Sequence, residues 1–309
     1  MRILCAGQIA RDLALLVADI PEPGATQPVR KRREMLGGKG ANQAVAATQL
    51  GAPAGLIGVV GDDQAGEWLL RNAAADGIDV GTVVPRAGAR SALIVDIVDG
   101  SGAWRYLEDI PVDTLLRPAD IAAAEFTFSG ADAVVLQLQQ PAAAALAAAA
   151  AAKRHAALLV LDGAPPAGLR DALLAQADVV RADAQEAALW TGRELPGPQD
   201  VRAAAEQLRA AGPSVVLFAG SEGNVVAWPG GSRLIPLAET AVVDTTGGGD
   251  AFTAGFTVDY LRHGEPERAA RFATAAASLV VERLGGRPDL EPAAVEHRMS
   301  AGLGKGRRR

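Results

Sequence analysis

Short apolar runs alternate with longer helical patterns through most of this chain, and this alternation restricts the folds that it can adopt. Helical patterns separate several of the runs, at Ala41–Leu50, Ala65–Ala75, Pro141–Arg154 and Asp200–Ala211. The runs that we interpret as strands are RILCAG (2–7), AGLIGVVG (54–61), AVVLQLQ (133–139), ALLVLDG (157–163), SVVLFAG (214–220) and GNVVAWPG (223–230). Strands that alternate with helices form βαβ units. The pattern therefore predicts a doubly wound α/β fold, with a mostly parallel sheet and helices on both faces.

Two regions do not follow this alternation. Residues 12–35 contain an alternating apolar run, the turn sequence PEPGATQP and the basic run RKRRE. Residues 91–107, SALIVDIVDGSGAWRYL, contain two alternating runs around Asp99-Gly100, which predicts a β-hairpin. We expect these strands to form a small separate β-sheet that projects from the main domain. The predicted division is 1–11, 37–89 and 110–309 for the α/β domain, and 12–36 and 90–109 for the small sheet.

The composition excludes several classes of protein. The chain has 309 residues with 49% hydrophobic and 21% charged residues, which is typical of a globular protein. Its net charge of -6 argues against a nucleic-acid or membrane-surface partner. The longest apolar run, Ala142–Ala152, is too short to span a bilayer. The one cysteine, Cys5, permits no intrachain disulfide, and the short apolar N-terminus indicates a first strand, so we expect a cytoplasmic protein.

The segment VVDTTGGGDAF, at residues 242–252, places three glycines directly before an apolar helical pattern. Unpaired N–H groups at a helix N-terminus attract anions, and glycine lets an anion approach the backbone. The segment therefore suggests a phosphate site, although an ordinary strand-to-helix turn also uses such a run. Asp250 could be the N-cap of this helix. Beside a phosphate, its carboxylate could instead accept the proton of an attacking hydroxyl group.

A second glycine cluster, LGGKGANQAVAATQLGA at residues 36–52, also precedes a helical pattern. It has neither the spacing of a phosphate-binding GxxxxGK[ST] loop nor that of the dinucleotide-binding GxGxxG motif. Lys39 and Asn42 are the polar groups that it could present to a polyol. The alternative is a helix cap with a solvated lysine.

The two clusters together resemble the PfkB carbohydrate kinase family, and its ribokinase-like members most closely. The ordered pair is GGKGANQAVAA followed by DTTGGGDAFTAGF. The resemblance continues through GQIARD (7–12), VGDDQAGEWLL (60–70), ADAQEAALWTG (182–192) and FAGSEGN (218–224), and so covers nearly the whole chain. Members of this family combine a doubly wound α/β domain with a small β-sheet lid, which matches the two irregular regions. They phosphorylate a sugar or nucleoside hydroxyl with ATP and Mg²⁺.

The resemblance implies a role for each matching residue. Asp250 would be the general base, and the N–H groups of Gly247, Gly248 and Gly249 would form an anion hole for the γ-phosphate. Family members often carry alanine where this chain has Gly248. The sugar-binding positions are Asp12, Gly38, Lys39, Asn42 and Gln139. The nucleotide-binding positions are Asp183, Gly220, Ser221 and Gly223, and Glu186 would hold Mg²⁺ through water.

A potassium-type cation is a further implication of the resemblance. Ribokinases bind such a cation beside the anion hole, and Asp244 would supply a side-chain oxygen here. The backbone carbonyls would come from Thr246 and from Val280, Arg283 and Gly285. Asp289 stands where serine is common, and it could strengthen this site or cap the C-terminal helix.

Four positions depart from the ribokinase pattern. Ala10 and Gln139 replace a sugar-contacting asparagine and glutamate, so hydrogen-bond partners for particular hydroxyl groups are lost. Phe218 and Asp183 replace a threonine and an asparagine on the nucleotide side. The acceptor is therefore left open between ribose and a related small sugar.

Other functions remain to be distinguished. A nucleoside kinase would need an apolar wall in the lid, which Trp104 and Tyr106 could form unless they pack in the lid or in a dimer interface. A catalytically silent sugar- or nucleotide-binding protein would explain the four departures. The missing GxGxxG motif disfavours a dehydrogenase. The exposed strand edges of the lid predict a homodimer through the lid, with Arg30–Arg33 near its rim.

Overall fold

A computed structural model describes residues 1–220 and 222–302, so the predicted nucleotide-binding residue Ser221 lies outside the described residues. The strands are β1 (Ile3–Ala6), β2 (Ala10–Leu16), β3 (Lys31–Gly37), β4 (Ala54–Ile57), β5 (Val59–Gly61), β6 (Val84–Arg86), β7 (Ala92–Val98), β8 (Trp104–Asp109), β9 (Ala133–Gln137), β10 (Leu158–Asp162), β11 (Val179–Ala182), β12 (Val215–Gly220), β13 (Gly223–Trp228) and β14 (Gly231–Pro236).

The helices are α1 (Lys39–Gln49), α2 (Gln64–Ala75), α3 (Pro118–Ala123), α4 (Glu125–Phe128), α5 (Ala142–Arg154), α6 (Arg170–Leu174), α7 (Ala184–Thr191), α8 (Pro198–Ala210), α9 (Gly248–His263), α10 (Pro266–Val280) and α11 (Pro292–Ala301). Within the described part of the chain, none of them is both long and apolar enough to cross a bilayer.

The main sheet confirms the predicted α/β architecture. Its eight strands are ordered β14-β13-β12-β11-β10-β9-β1-β4, and they are parallel from β12 to β4. The strands β13 and β14 are antiparallel. Helices α1, α2, α9, α10 and α11 pack on one face, and α3 to α8 pack on the other. Along β1, Ile3 and Cys5 contact the first layer while Leu4 and Ala6 contact the second, which explains why the strand is apolar throughout.

The strand predictions differ from the structure in four places, one of which is the short strand β6, which was not predicted. The run at 54–61 forms two strands, because the chain leaves the main sheet at Gly58, where a Cβ would lie 2.7 Å from the Ile9 side chain. Its second half, β5, pairs with β6 in a separate two-stranded sheet. The strands β11 and β14 were not predicted, because a charged residue interrupts each apolar run: Arg181 in one and Arg233 in the other.

The two irregular regions join in one four-stranded sheet, ordered β3-β2-β7-β8, which we call the lid. The strands β2 and β7 are parallel, and the other two pairs are antiparallel. The predicted hairpin connects β7 to β8, where Asp99 Oδ1 accepts bonds from the N–H groups of Ser101 and Ala103. The basic run lies on the edge strand β3, and Arg33 donates to the Leu284 carbonyl of the main domain at 2.7 Å. The domain boundaries themselves stay a prediction.

The order of the main sheet positions a crevice. The chain passes from β1 to β4 on one side, and β9 lies on the other side of β1. When the connections that follow two adjacent parallel strands run in opposite directions, they leave an opening at the carboxyl ends of those strands. Ligands bind in such openings in open α/β sheets. Gln8 follows β1 at this edge, and Gln137 ends β9. The crevice is therefore lined by polar side chains at the end of otherwise apolar strands.

The glycine run forms the turn into α9. Gly247 is the N-cap residue and has a left-handed φ of 75°. A Cβ on Gly247 would overlap the carbonyl oxygen of Gly286, and a Cβ on Gly249 would lie 2.7 Å from Arg181 Nη2. A Cβ on Gly248 would meet only the Val281 side chain, at 3.0 Å. Gly247 is therefore required by its backbone contact, whereas alanine at 249 would displace the Arg181 side chain and alanine at 248 would press on Val281.

We expect Gly247→Ala to destabilise the protein and Gly248→Ala to be nearly neutral. The left-handed conformation costs alanine about 1–2 kcal/mol, and the overlap with Gly286 adds to it. Alanine at position 248 gains up to about 1 kcal/mol of helix propensity, which offsets its tight contact. Urea unfolding of both variants measures the difference, and an equal loss at the two positions would contradict this account of the turn.

Candidate active site

A cavity of about 120 Å³ lies between the crevice of the main sheet and the lid. Nine of the residues predicted from the sequence line it: Asp12, Gly38, Lys39, Asn42, Gln139, Thr246, Gly247, Asp250 and Gly285. The lid contributes alternate residues of three adjacent strands, because every second side chain points to the same face of a sheet. They form two rows across the lid, Asp12–Ile94–Glu108 and Ala14–Asp96–Tyr106.

Asp250 is buried in the first turn of α9. Its carboxylate accepts a bond from Asn42 Nδ2 at 3.1 Å and one from Gln43 Nε2 at 3.3 Å. Burial raises the pKa of Asp250 to about 7, and the nearby Asp162 carboxylate raises it too, while Lys39 opposes both effects. A carboxylate with a pKa near neutrality can both accept and release a proton under ordinary conditions.

Sequence reasoning did not identify the charged network beneath Asp250. Gln43 Nε2 also donates to Asp162 at 2.7 Å, and Arg181 Nη1 donates to Asp162 at 3.1 Å. Arg181 lies under the start of α9, against Gly249. Asp162 ends β10 and Arg181 lies near the end of β11. Charged residues at the carboxyl ends of apolar parallel strands were the signal that could have revealed both.

Lys39 lies beside this network, with its Nζ 3.6 Å from Glu186 Oε1. Burial alone would lower the pKa of Lys39, but the carboxylates of Asp162, Glu186 and Asp250 outweigh it and raise the pKa. The lysine is therefore held in its charged form next to the start of α9. A fixed ammonium group and a helix N-terminus together favour an anion at this end of the cavity.

Glu186 has a carboxylate that could bind a divalent cation. Its Oε2 accepts the N–H of Asp183 at 2.8 Å, while Oε1 faces Lys39. Asp183 in turn caps α7, because its Oδ1 accepts the N–H groups of Gln185 and Glu186. The negative charge of Asp183 is thus used at a helix N-terminus, where it is favourable. An oxygen ligand with one free position suits Mg²⁺, which usually keeps several of its waters.

The predicted nucleotide residues lie apart from this cavity. Gly220 and Gly223 pair across the turn between β12 and β13 and line a second cavity, of about 170 Å³. An apolar cavity of about 180 Å³ lies further along the sheet, between Leu237, Val242 and Ala277. Phe218, one of the departures from the ribokinase pattern, is fully buried in the core rather than exposed at either cavity.

The residues proposed for a monovalent cation surround two buried carboxylates. Asp244 accepts the N–H of Thr246 at 2.9 Å and that of Gly285 at 2.7 Å. Asp96 lies next to it, and burial and the Asp244 charge raise the pKa of Asp96 to about 7. Among residues 1–220 and 222–302, no lysine or arginine pairs with either carboxylate. This uncompensated charge fits a cation.

The other predicted cation ligands are engaged differently. The Val280 carbonyl accepts the Arg283 N–H at 3.2 Å. Asp289 is exposed, and its carboxylate pairs with the Arg283 guanidinium. The structure therefore brings Asp244, Thr246 and Gly285 together and places the Asp289 side chain in this surface ion pair.

The lid also supplies Asp96 and Glu108, which the sequence did not single out, beside residues that it did. Tyr106 Oη and Thr246 Oγ1 are 2.6 Å apart, and Thr246 Oγ1 donates to Asp96 Oδ2 at 3.1 Å. Burial and the Asp250 charge raise the pKa of Asp12 to about 8. Trp104 stacks on Tyr106 and is 46% exposed, so only the tyrosine of this pair lines the cavity. An aspartate within the apolar run of β7 was the signal for Asp96.

Comparisons with known proteins agree with this geometry. Residues 1–293 match the family described as pfkB family carbohydrate kinase. The chain is 31% identical to ribokinase from Haemophilus influenzae, over 90% of this chain and 92% of that protein. It is 35% identical to an ATP-dependent ribose-1-phosphate kinase from Halopiger xanaduensis, over 93% and 94%.

The fold is similar to known structures as well. The crystal structure of ribokinase from Thermotoga maritima superimposes with a TM-score of 0.80 and 26% identity, over 96% of this chain and 99% of that one. The sequence motifs, the buried aspartate at the start of a glycine-preceded helix and these similarities agree with one another. The chain therefore belongs to the PfkB family of carbohydrate kinases.

Proposed function

We propose that this sugar kinase transfers the γ-phosphate of ATP to a hydroxyl group of ribose or a related small sugar. The observation that carries the proposal is the position of Asp250. Its carboxylate lines the cavity, is buried, and stands in the first turn of the helix that follows the glycine run. A sugar hydroxyl in the cavity would have a base on one side and an anion-binding helix end on the other.

In the proposed reaction, Asp250 accepts the proton of the attacking hydroxyl group. Asn42 and Gln43 hold its carboxylate in one orientation through their side-chain amides. Because the pKa of Asp250 is about 7, the base is available at neutral pH without being too weak to accept a proton. Asp12 positions the sugar from the lid side, and Gly38 positions it from the glycine cluster at residues 36–52.

The charge that develops on the transferred phosphoryl group meets fixed positive groups. The N–H groups of Gly247, Gly248 and Gly249 lie at the positive end of the α9 dipole, and Lys39 adds a full charge. Glu186 is the residue that would hold Mg²⁺, which screens the charge of the phosphates when bound. The Asp244 carboxylate and carbonyl groups of Thr246, Val280, Arg283 and Gly285 would hold a K⁺-type cation, which adds positive charge beside the anion hole.

Nucleotide binding is assigned to the β12–β13 turn. Gly220, Ser221 and Gly223 are proposed to contact the phosphates of ATP, and Asp183 positions Glu186 through the capping bonds described above. The lid covers the acceptor end of the same crevice, so its closure over bound sugar would exclude water from the reacting phosphate.

We expect Asp250→Asn to abolish phosphorylation while leaving the fold intact. Loss of a general base lowers kcat by about 10²–10⁴-fold. ADP release should be measured with Mg-ATP, KCl and a panel of pentoses, hexoses and nucleosides. Asp171→Asn is the matched control, because Asp171 also stands in the first turn of a helix but is 88% exposed. Equal activity of the two variants would refute the role of Asp250. An acceptor that binds but is not phosphorylated by the wild type would favour a silent binding protein.

The pH dependence should follow the ionisation of Asp250. The base must be deprotonated, so kcat/KM should rise with pH through about 7 and fall by about tenfold per unit below it. The Asp162 charge holds the pKa of Asp250 up, so Asp162→Asn should shift the rising limb to lower pH. A pH–rate profile of both proteins tests this. A limb that stays in place, or moves to higher pH, would contradict the proposed coupling.

We also propose that the protein is a homodimer through the lid. The lid face that points away from the cavity carries partly exposed apolar residues: Leu13, Leu15, Leu93, Val95, Ile97 and Leu107. An apolar face of this kind is typical of an interaction surface.

We expect Val95→Asp to convert a dimer to a monomer, because a charge in an apolar interface lacks a partner. Light scattering after size-exclusion chromatography gives the mass of each protein. Val112→Asp is the control, since Val112 is 75% exposed and lies outside the lid sheet. A monomeric wild type would end the dimer proposal.

A further inference from the structure

Two lid carboxylates each have a buried oxygen atom with no hydrogen-bond partner among residues 1–220 and 222–302. They are Oδ1 of Asp12 and Oδ1 of Asp96. Asp12 is 8% exposed and Asp96 is 3% exposed, and both line the cavity. A buried polar atom without a partner is costly, and native proteins rarely keep one without a reason. Both atoms therefore indicate a ligand that donates hydrogen bonds.

The second oxygen of Asp96 is already satisfied. The hydroxyl group of Thr246 donates its one proton to Asp96 Oδ2, and Tyr106 can donate to the Thr246 oxygen. These two hydrogen bonds link Tyr106 on β8, Thr246 of the main domain and Asp96 on β7. They fix the orientation of the Asp96 carboxylate. Oδ1 is left as the acceptor atom for a ligand in the cavity.

The lid side of the cavity is acidic. Asp12, Asp96 and Glu108 line it from three adjacent strands, with Glu108 exposed at the mouth. In the described chain, Lys39 is the one basic residue that lines the cavity, and it lies at the opposite end, beside Glu186. The phosphoryl-transfer end of the cavity thus has a lysine beside its carboxylates, whereas no basic residue lines the lid end in the described chain.

We propose that Asp96 is a specificity-determining residue, which binds a hydroxyl group of an uncharged sugar and, with Asp12 and Glu108, excludes acceptors that carry a phosphate at the lid end. The inference rests on the proposed function, and it defines the class of acceptor. Overall sequence identity does not decide between a free sugar and a sugar phosphate as the acceptor, because the chain is similar both to a ribokinase and to a ribose-1-phosphate kinase.

The physical basis is the difference between a hydroxyl group and a phosphate. A hydroxyl group can donate to the unpaired oxygens of Asp12 and Asp96. A phosphate ester offers mainly acceptor oxygens and about two negative charges. It donates no hydrogen bond to the unpaired oxygens, and its charge opposes the ionised forms of Asp12, Asp96 and Glu108.

The test compares ribose and 2-deoxyribose with their 1-phosphates, which differ from them by the phosphate alone. Calorimetry gives the Kd of each compound, and ADP release gives kcat/KM. The wild type should prefer each sugar to its 1-phosphate by about 100-fold or more. Asp96→Asn should weaken sugar binding by about 10-fold, because a neutral amide oxygen replaces a charged acceptor, and it should reduce the preference for the sugar over its 1-phosphate.

Two more variants separate this role from a structural one. Glu108→Gln changes an exposed residue at the mouth of the cavity. It should reduce the preference for each sugar over its 1-phosphate without affecting the stability of the fold. Asp109→Asn alters the next residue, which does not line the cavity and pairs with Arg90 at the surface, so the preference should not change. Melting temperatures report whether Asp96→Asn folds.

The outcomes distinguish the inference from the proposed function. The inference is wrong if the 1-phosphates bind as tightly as the sugars, if neither sugar binds, or if the Asp96→Asn and Glu108→Gln variants keep the wild-type preference. A wild type that binds the sugars but releases no ADP with any acceptor would refute the kinase proposal. The acceptor preference would still be measured by calorimetry in that case.

Discussion

The amide nitrogen of Gln43 joins the parts of the molecule on which the active site depends. From α1 it donates to Asp162 at the end of β10 and to Asp250 at the start of α9. Asp162 and Asp250 are both acidic and buried, and the Asp162 charge raises the pKa of Asp250. A shared donor lessens the cost of bringing them together, because each carboxylate gains a hydrogen bond where water is absent. The two glycine-rich segments, about two hundred residues apart in sequence, meet at this point.

The sequence predicted the architecture, and it identified residues that the fold brings together in one cavity. The alternation of apolar runs with helical patterns indicated the parallel sheet, since strands covered on both faces need continuous apolar residues. The irregular regions were correctly interpreted as a second sheet, and nine predicted residues line one cavity. These features depend on local pattern, such as Gly247 and Asp250 at the start of a helix, and local pattern can be recognised without the partners.

The network beneath the site could not be predicted in the same way. Arg181 interrupts an apolar run, so its strand was missed, and its partners Asp162 and Gly249 come from other elements. Asp96 appeared as one polar residue in a hairpin, and its meaning depends on Thr246, which is 150 residues away in sequence. Asp183, a departure from the ribokinase pattern on the nucleotide side, caps a helix through the N–H groups of Gln185 and Glu186. For Arg181 and Asp96 the charge is explained by a contact that only the folded chain creates, whereas the Asp183 cap is a local contact.

Successive side chains of β7 point alternately to two different surfaces of the lid. Ile94 and Asp96 point into the cavity, while Leu93, Val95 and Ile97 point away from it. Inserting or deleting a single residue before Asp96 would exchange the two sets, turning the carboxylate outward and the aliphatic side chains toward the substrate. We therefore expect β7 to tolerate substitutions, and changes of length only in the hairpin turn. A single substitution on β7 could change which acceptor the cavity binds, whereas a shift in the register of β7 would disrupt both surfaces.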